Sequence, residues 1–100
     1  MPYSIEITEL GSAHLEAIRK FDRVQIIEAI NEQLTHQPTL ETKRRKILAG
    51  VSPPFEHHPP VWELRVRQYR VFYDVDDGMK TVTIRAVLDK PPHVTTEEIL

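Results

Sequence analysis

From Trp62 to about Leu88 apolar and polar residues alternate with a period of two, and this run constrains the fold more than any other feature of the chain. Such alternation belongs to strands with one buried face. The run is longer than one ordinary strand, so it must fold back on itself. Asp77-Gly78 is the dipeptide favoured in a two-residue type I′ hairpin. That turn sets Asp76 opposite Met79, Tyr73 opposite Val82, Val71 opposite Ile84 and Arg70 opposite Arg85. The preceding return has no glycine, and only Arg67-Gln68 keeps the apolar residues in register. It sets Trp62 opposite Tyr73, Leu64 opposite Val71, Val66 opposite Tyr69 and Arg65 opposite Arg70. The expected product is a three-strand antiparallel meander.

One face of that meander reads Trp62/Tyr73/Val82, Leu64/Val71/Ile84 and Val66/Tyr69/Ala86, a surface on which helices can pack. The other carries Arg65, Arg70 and Arg85 side by side, with Glu63, Phe72 and Thr83 in the next row. Directly opposed like charges destabilise a sheet by up to about 1 kcal/mol per pair. An anion over the row removes that cost, and guanidinium forks match phosphate oxygens in geometry and charge. A solvated face paired in-house by Glu63, Asp74 and Asp89 is the alternative. Two uses are open to Phe72 beside the arginines: stacking on a base, or covering the C-terminal segment.

Ahead of the meander, "YSIEIT" alternates Tyr3, Ile5 and Ile7 with Ser4, Glu6 and Thr8, a strand signal. Gly11 ends it, and Ser12 is placed to cap a helix in which Leu15, Ile18 and Phe21 share a face. Asp22 reads as a fresh N-cap, with Gln25 completing a capping box and Phe21 and Ile26 a hydrophobic staple. The second helix, striped by Ile26, Ile27, Ile30 and Leu34, ends before Pro38. Two helices joined so tightly form an antiparallel hairpin.

"PTLETKRRKILAG" fits either a short helix capped by Thr39 and ending at Gly50 or an ordered loop; the helix would gather Lys43, Arg44 and Lys46. The two Pro-Pro pairs of "VSPPFEHHPPV" make it a loop. "KPPH" stops the sheet, and "TTEEIL" suits a last helical turn capped by Thr95 or Thr96. The fold class is therefore α+β, in one domain over residues 1–100: strand, helical hairpin, meander, short C-terminal helical turn.

A chain of 100 residues lies near the lower end of what one core supports unaided. With no cysteine, disulfides and thiolate zinc sites are excluded, which fits a reducing compartment. No apolar run approaches membrane-spanning length, and "MPYSIEITEL" lacks the basic-then-apolar order of a secretory signal. A cytoplasmic chain with no membrane partner is expected. A formal net charge of −2 excludes a uniformly basic nucleic-acid binder. Residues 35 to 70 nevertheless hold seven basic against three acidic residues, a local +4 that leaves −6 for the remainder. One basic face on an acidic body follows.

"WELRVRQYRVFYDVD" followed by "KTVTIRAV", after a strand and a helical hairpin, resembles the RelE/ParE superfamily of toxins from bacterial type II toxin–antitoxin systems. The resemblance covers essentially the whole chain, and its most specific part is L-R-V-x(2)-Y-R-V-x-Y. It implies a helical hairpin against an antiparallel sheet of about four strands, and a cognate antitoxin as partner. For the RelE-like branch it implies cleavage of ribosome-bound mRNA without a cofactor. There the ribose 2′-hydroxyl attacks the adjacent phosphate, and lysines and arginines stabilise the pentavalent phosphate. Carried over by motif, Arg70 binds the scissile phosphate and Arg65 falls where lysine or arginine is common. Lys90 falls near the basic residue that ends the family's sheet and contacts phosphate or leaving group.

RelE-like nucleases also carry a C-terminal tyrosine; "PPHVTTEEIL" has none, and His93 is the candidate acid or base in its place. Arg85 has no counterpart in the resemblance and enters through register alone. Lys43, Arg44 and Lys46 are expected against RNA backbone or an acidic antitoxin tail. Within the superfamily the alternatives are a ParE-like inhibitor of DNA gyrase and a catalytically silent, antitoxin-binding member. The missing tyrosine and the acidic balance favour the gyrase inhibitor; the arginine row favours the nuclease. His57 and His58, with Glu56 beside them, lack a second ligand pair at metal spacing, so no metal site is expected.

Overall fold

The computed structural model describes residues 2–100. Its elements run β1 (Ser4–Ile7), α1 (Glu9–Ala17), α2 (Lys20–Leu34), β2 (Arg45–Ile47), β3 (Trp62–Val66), β4 (Tyr69–Asp76), β5 (Thr81–Asp89) and α3 (Thr96–Ile99). The strands form one mixed sheet in the order β1-β5-β4-β3-β2, with β1 parallel to β5 and every other pair antiparallel. The α+β class holds, with five strands instead of about four. The added strand is β2: Arg45 and Lys46 of "KRRK", with Ile47, form an edge strand, and pairing with β3 overrides their helix propensity. Thr42 Oγ1 accepts the Arg44 and Arg45 backbone N–H groups, which fixes the entry to that strand.

Helix α1 lies along β5 and α2 lies over β3. Between helices and sheet sits a core that includes Ile26, Leu34, Leu64, Val71, Tyr73, Val82 and Ile84, all with no measurable exposure. The helix starts differ from those expected. Thr8, not Ser12, caps α1, its Oγ1 accepting the Gly11 N–H at 3.1 Å. Gly11 lies inside the helix, where an added Cβ would sit 3.1 Å from the Ile84 carbonyl oxygen; glycine is what lets α1 approach β5 so closely. Asp22 is not an N-cap, because α2 begins at Lys20 and the carboxylate is taken by Arg19 Nε at 2.9 Å and Tyr69 Oη at 2.9 Å. The staple is absent too: Ile26 is buried while Phe21 is 62% exposed.

The β3–β4 hairpin has the expected register, with Trp62 opposite Tyr73, Leu64 opposite Val71 and Arg65 opposite Arg70 around Arg67-Gln68. The β4–β5 register does not. Asp76 pairs with Thr81, so the loop is four residues, and Lys80 instead of Gly78 takes the left-handed conformation at φ 50°. Side chains select this loop. Asp76 Oδ1 accepts the Met79 N–H, Tyr3 Oη donates to Asp77, and the Lys80 ammonium lies 4.8 Å above the Tyr3 ring. The pairing moves by two residues, giving Val75 opposite Val82 and Tyr73 opposite Ile84.

A bulge at Arg85 shifts the pairing once more, so that Phe72 faces Ala86, Val71 faces Val87 and Arg70 faces Leu88. Ala86 therefore leaves the helix-covered face, where Val87 takes its place. The opposite face gains a second small core. Val61, Phe72 and Ala86 are covered there by Phe55 of the proline-rich loop and by Ile99 and Leu100. As expected, the C-terminal "TTEEIL" forms a helical turn; Thr95 caps it, in a capping box with Glu98.

Candidate phosphate-binding site

The face of the sheet away from α1 and α2 carries a pocket of about 240 Å³ between β2, β3, β4 and the C-terminal segment. Six of its lining residues are basic: Lys43, Arg44, Lys46, Arg65, Arg70 and Lys90. Alternation explains the first group, since Arg44, just ahead of β2, and Lys46 within it line the pocket while Arg45 between them turns to the other face. Arg45 is buried and its guanidinium reaches the Gln33 carbonyl at the end of α2. Lys90 arrives from the far end of β5, where its backbone N–H donates to Gln68 O at 2.7 Å and ties it to the β3–β4 turn. Thr96 enters from α3.

Arg70 is well enclosed, with 12% of its side chain exposed against 64% for Lys46. Its Nη1 donates to the carbonyls of Arg67 and Tyr69, both at 2.9 Å, which braces the turn and fixes the guanidinium. Burial holds its pKa below the ordinary arginine value, with the facing Arg65 adding to the effect and Glu63 opposing it. The group stays charged at any physiological pH.

Glu63 is the one carboxylate among the lining residues, and only 2% of it is exposed. Thr96 Oγ1 donates to it at 2.7 Å; Arg70 Nε stands 3.7 Å and Lys46 Nζ 3.9 Å away. These ion-pair distances are longer than a hydrogen bond, so both cations keep donors free for another anion.

Two expected members stand elsewhere. Arg85 is not beside Arg70, because the longer loop and the bulge carry it up the sheet. Its Nε and Nη2 grip Asp74 at 2.7 and 3.2 Å, and Glu56 stands 3.7 Å from Nη1. The row of three arginines is therefore a pair, Arg65 and Arg70, and Arg85 is part of a buried ion pair. Phe72 has no exposed surface and packs against Phe55 with ring centroids 5.9 Å apart, so it is a core residue and no base can stack on it. His93 lies outside this pocket, in an adjoining groove of about 610 Å³ whose wall shares Lys46, Glu63, Lys90 and Thr96 with it. No cluster of metal-ligating side chains occurs among the described residues. His57 Nδ1 contacts Phe55 O, and His58 gives its backbone N–H to Asp74.

A family profile described as the ParE toxin of type II toxin–antitoxin systems matches residues 5–90. The chain belongs to this toxin family. Solved structures give the fold of the toxin independently. It superposes on the RelBE2 toxin–antitoxin complex of Mycobacterium tuberculosis with a TM-score of 0.70 at 21% identity, over 90% of this chain and 100% of that one. The RelE–RelB complex of Pyrococcus horikoshii gives 0.69 at 20% identity, over 92% and 99%. A mutant of the Escherichia coli toxin RelE in the free state gives 0.68 at 22%, over 98% and 95%. No curated protein matches by sequence.

The pocket of this toxin thus unites Arg70, Arg65, Lys90, Lys43, Arg44 and Lys46, all expected from sequence. The Glu63–Thr96 contact was not. Glu63 was legible as a carboxylate on the arginine face, but its partner lies 33 residues away on a segment whose docking no local pattern encodes.

Proposed function

We propose that this toxin is a RelE-like endoribonuclease that cuts ribosome-bound mRNA. The observation that carries the reading is the small pocket with six cations around one buried carboxylate. A scissile phosphate seated there meets Arg70, Arg65, Lys46 and Lys90. The ribose 2′-oxygen bonds to phosphorus as its proton passes to solvent, the bond from phosphorus to the 5′-oxygen of the next nucleotide breaks, and that oxygen takes up a proton, so the products are a 2′,3′-cyclic phosphate and a 5′-hydroxyl. Guanidinium and ammonium groups stabilise the extra negative charge of the pentavalent state. His93, in the adjoining groove, is the side chain assigned to proton transfer near the leaving oxygen. The partner is a cognate antitoxin, in keeping with the toxin–antitoxin complexes among the structures of like fold. The site of action on this reading is the cytoplasm.

The test is a translation extract with the purified toxin, followed by mapping of RNA ends. Codon-positioned cuts bearing 2′,3′-cyclic phosphates are expected, lost on Arg70→Ala and partly kept in Arg70→Lys. Intact message at high toxin concentration overturns the proposal. Two observations favour a second reading, inhibition of DNA gyrase: the matching profile is that of ParE, and residues 91–100 hold no tyrosine. A supercoiling assay with no inhibition removes it.

A further inference from the structure

The phosphate pocket does not end at Arg65. A second concavity of about 560 Å³ opens on its outer side and is lined by Lys43, Arg44, Arg65 and Arg67 alone. Three of these four also line the phosphate pocket, so the two spaces share a wall. None of the four forms an ion pair among the described residues, whereas Arg19, Lys46, Arg70 and Arg85 all do. Four exposed like charges side by side raise the local potential and attract a mobile anion, and Asp22 acts on Arg67 through space without pairing with it.

Arg67 supplies a second and independent sign. It occupies the first position of the β3–β4 turn at φ 55°, a conformation that glycine or asparagine adopts with far less strain. Backbone strain of this kind costs on the order of 1 kcal/mol and is kept where a side chain is needed. The turn is also tied to the phosphate pocket, because the Arg67 carbonyl accepts from Arg70 Nη1. Arg67 follows Arg65 by two residues and stands in the turn just past the end of β3, so the concavity that it lines continues the first pocket beyond the strand.

We infer that Arg67, with Lys43 and Arg44, forms a second phosphate subsite, so that a single-stranded RNA backbone runs from Arg70 across Arg65 to the β3–β4 turn. This rests on the nuclease reading and adds a direction and a minimum length to it: the ligand must present two consecutive phosphates. An acidic peptide is the competing occupant. RNA is preferred because the concavity continues a pocket already suited to phosphate, and because three of its four cations are arginines, whose planar forks suit phosphate oxygens.

The test titrates wild-type, Arg67→Gly, Arg67→Lys and Arg70→Ala toxin with 2′-O-methyl oligonucleotides, which cannot be cleaved. One ligand carries a single internucleotide phosphate and the other carries two. Arg67→Gly is expected to weaken the two-phosphate ligand about three- to tenfold and to leave the one-phosphate ligand unchanged. It should also lower the salt slope by about 0.7, the value for one phosphate on a single strand. Arg67→Lys restores part of the loss. The thermal midpoint of Arg67→Gly stays equal or rises, since glycine relieves the strained turn, so lost binding cannot be read as lost folding. Equal binding of both ligands by wild type and Arg67→Gly overturns the subsite and leaves the phosphate pocket standing. Failure of wild type to bind either ligand overturns the pocket reading and the subsite together. A poly-glutamate peptide bound more tightly than the two-phosphate ligand, and weakened by Arg67→Gly, overturns RNA as the occupant.

Discussion

Glu63 shows how a carboxylate can be held buried beside a cluster of cations. A carboxylate with 2% exposure needs hydrogen bonds, and its hydrogen bond comes from Thr96 Oγ1, which contacts both oxygens at 2.7 and 3.3 Å. Thr96→Val keeps the shape and deletes the donor, so it is expected to cost about 1–3 kcal/mol in chemical denaturation, while Thr96→Ser costs little. Asp22 makes a comparable point about pH. The Arg19 hydrogen bond, then that of Tyr69, hold its carboxyl below the ordinary aspartate value. A folded-state pKa below the unfolded one contributes stability that is fully present above the unfolded value of about 3.9 and is lost as pH falls through the lower folded value. Acid titration of stability in Asp22→Asn should therefore lack the part of the slope that wild type shows below about pH 4.

At the scale of elements, the bulge in β5 decides which arginines meet. An unpaired ladder residue leaves backbone groups that need partners, and α1 provides them: Thr8 Oγ1 donates to Arg85 O at 3.1 Å, and His14 Nδ1 accepts the Val87 N–H at 3.1 Å. The bulge then aims Arg85 at Asp74, where both side chains are more than nine-tenths buried. Arg85→Ala strands a buried carboxylate and is expected to cost about 3–5 kcal/mol, with binding of the one-phosphate ligand unchanged in whatever fraction stays folded. His14 adds a pH signature. Burial lowers its pKa, and only the neutral ring can accept the Val87 N–H. Its folded value lies below the unfolded one, so stability is full above about pH 6.5 and declines as pH falls from there. Denaturation midpoints of His14→Gln should be flat across that window, where those of wild type fall.

These elements also mark what the sequence could reveal. The β3–β4 register was legible because a two-residue turn and two strongly alternating strands admit one pairing. The β4–β5 register was not, because Ala86 suits either face. The groups that stabilise the loop and bulge, Tyr3, Thr8 and His14, lie more than 70 residues away in the chain. For the same reason the basic pocket was legible through Arg65, Arg70 and Lys90, whereas Arg85 was assigned to it only by extrapolating a register that does not hold.

Across the whole molecule, the exposed cations gather locally. Those that line the pocket lie on the sheet face away from α1 and α2, whereas Glu28 and Glu32 lie exposed on α2. Net charge is then a poor guide to ligand class, which is why a chain at −2 can hold six cations around one pocket. The consequence is measurable. Salt at physiological strength screens exposed charges beyond about 8 Å, and α2 is separated from the pocket by the thickness of the sheet. Replacing Glu28 and Glu32 by lysine adds four charges and takes the formal net charge from −2 to +2, yet affinity for the two-phosphate ligand is expected to change less than about twofold at physiological salt. Lys46→Glu also reverses a charge, but beside Glu63 and in the pocket wall, and should weaken the same ligand by tenfold or more, roughly 1.4 kcal/mol or above. Only as salt is lowered should the α2 reversals begin to speed association, because long-range attraction then reaches around the sheet. If the α2 variant instead binds much more tightly at physiological salt, the ligand is held by the field of the whole molecule, and the pocket is not where it sits.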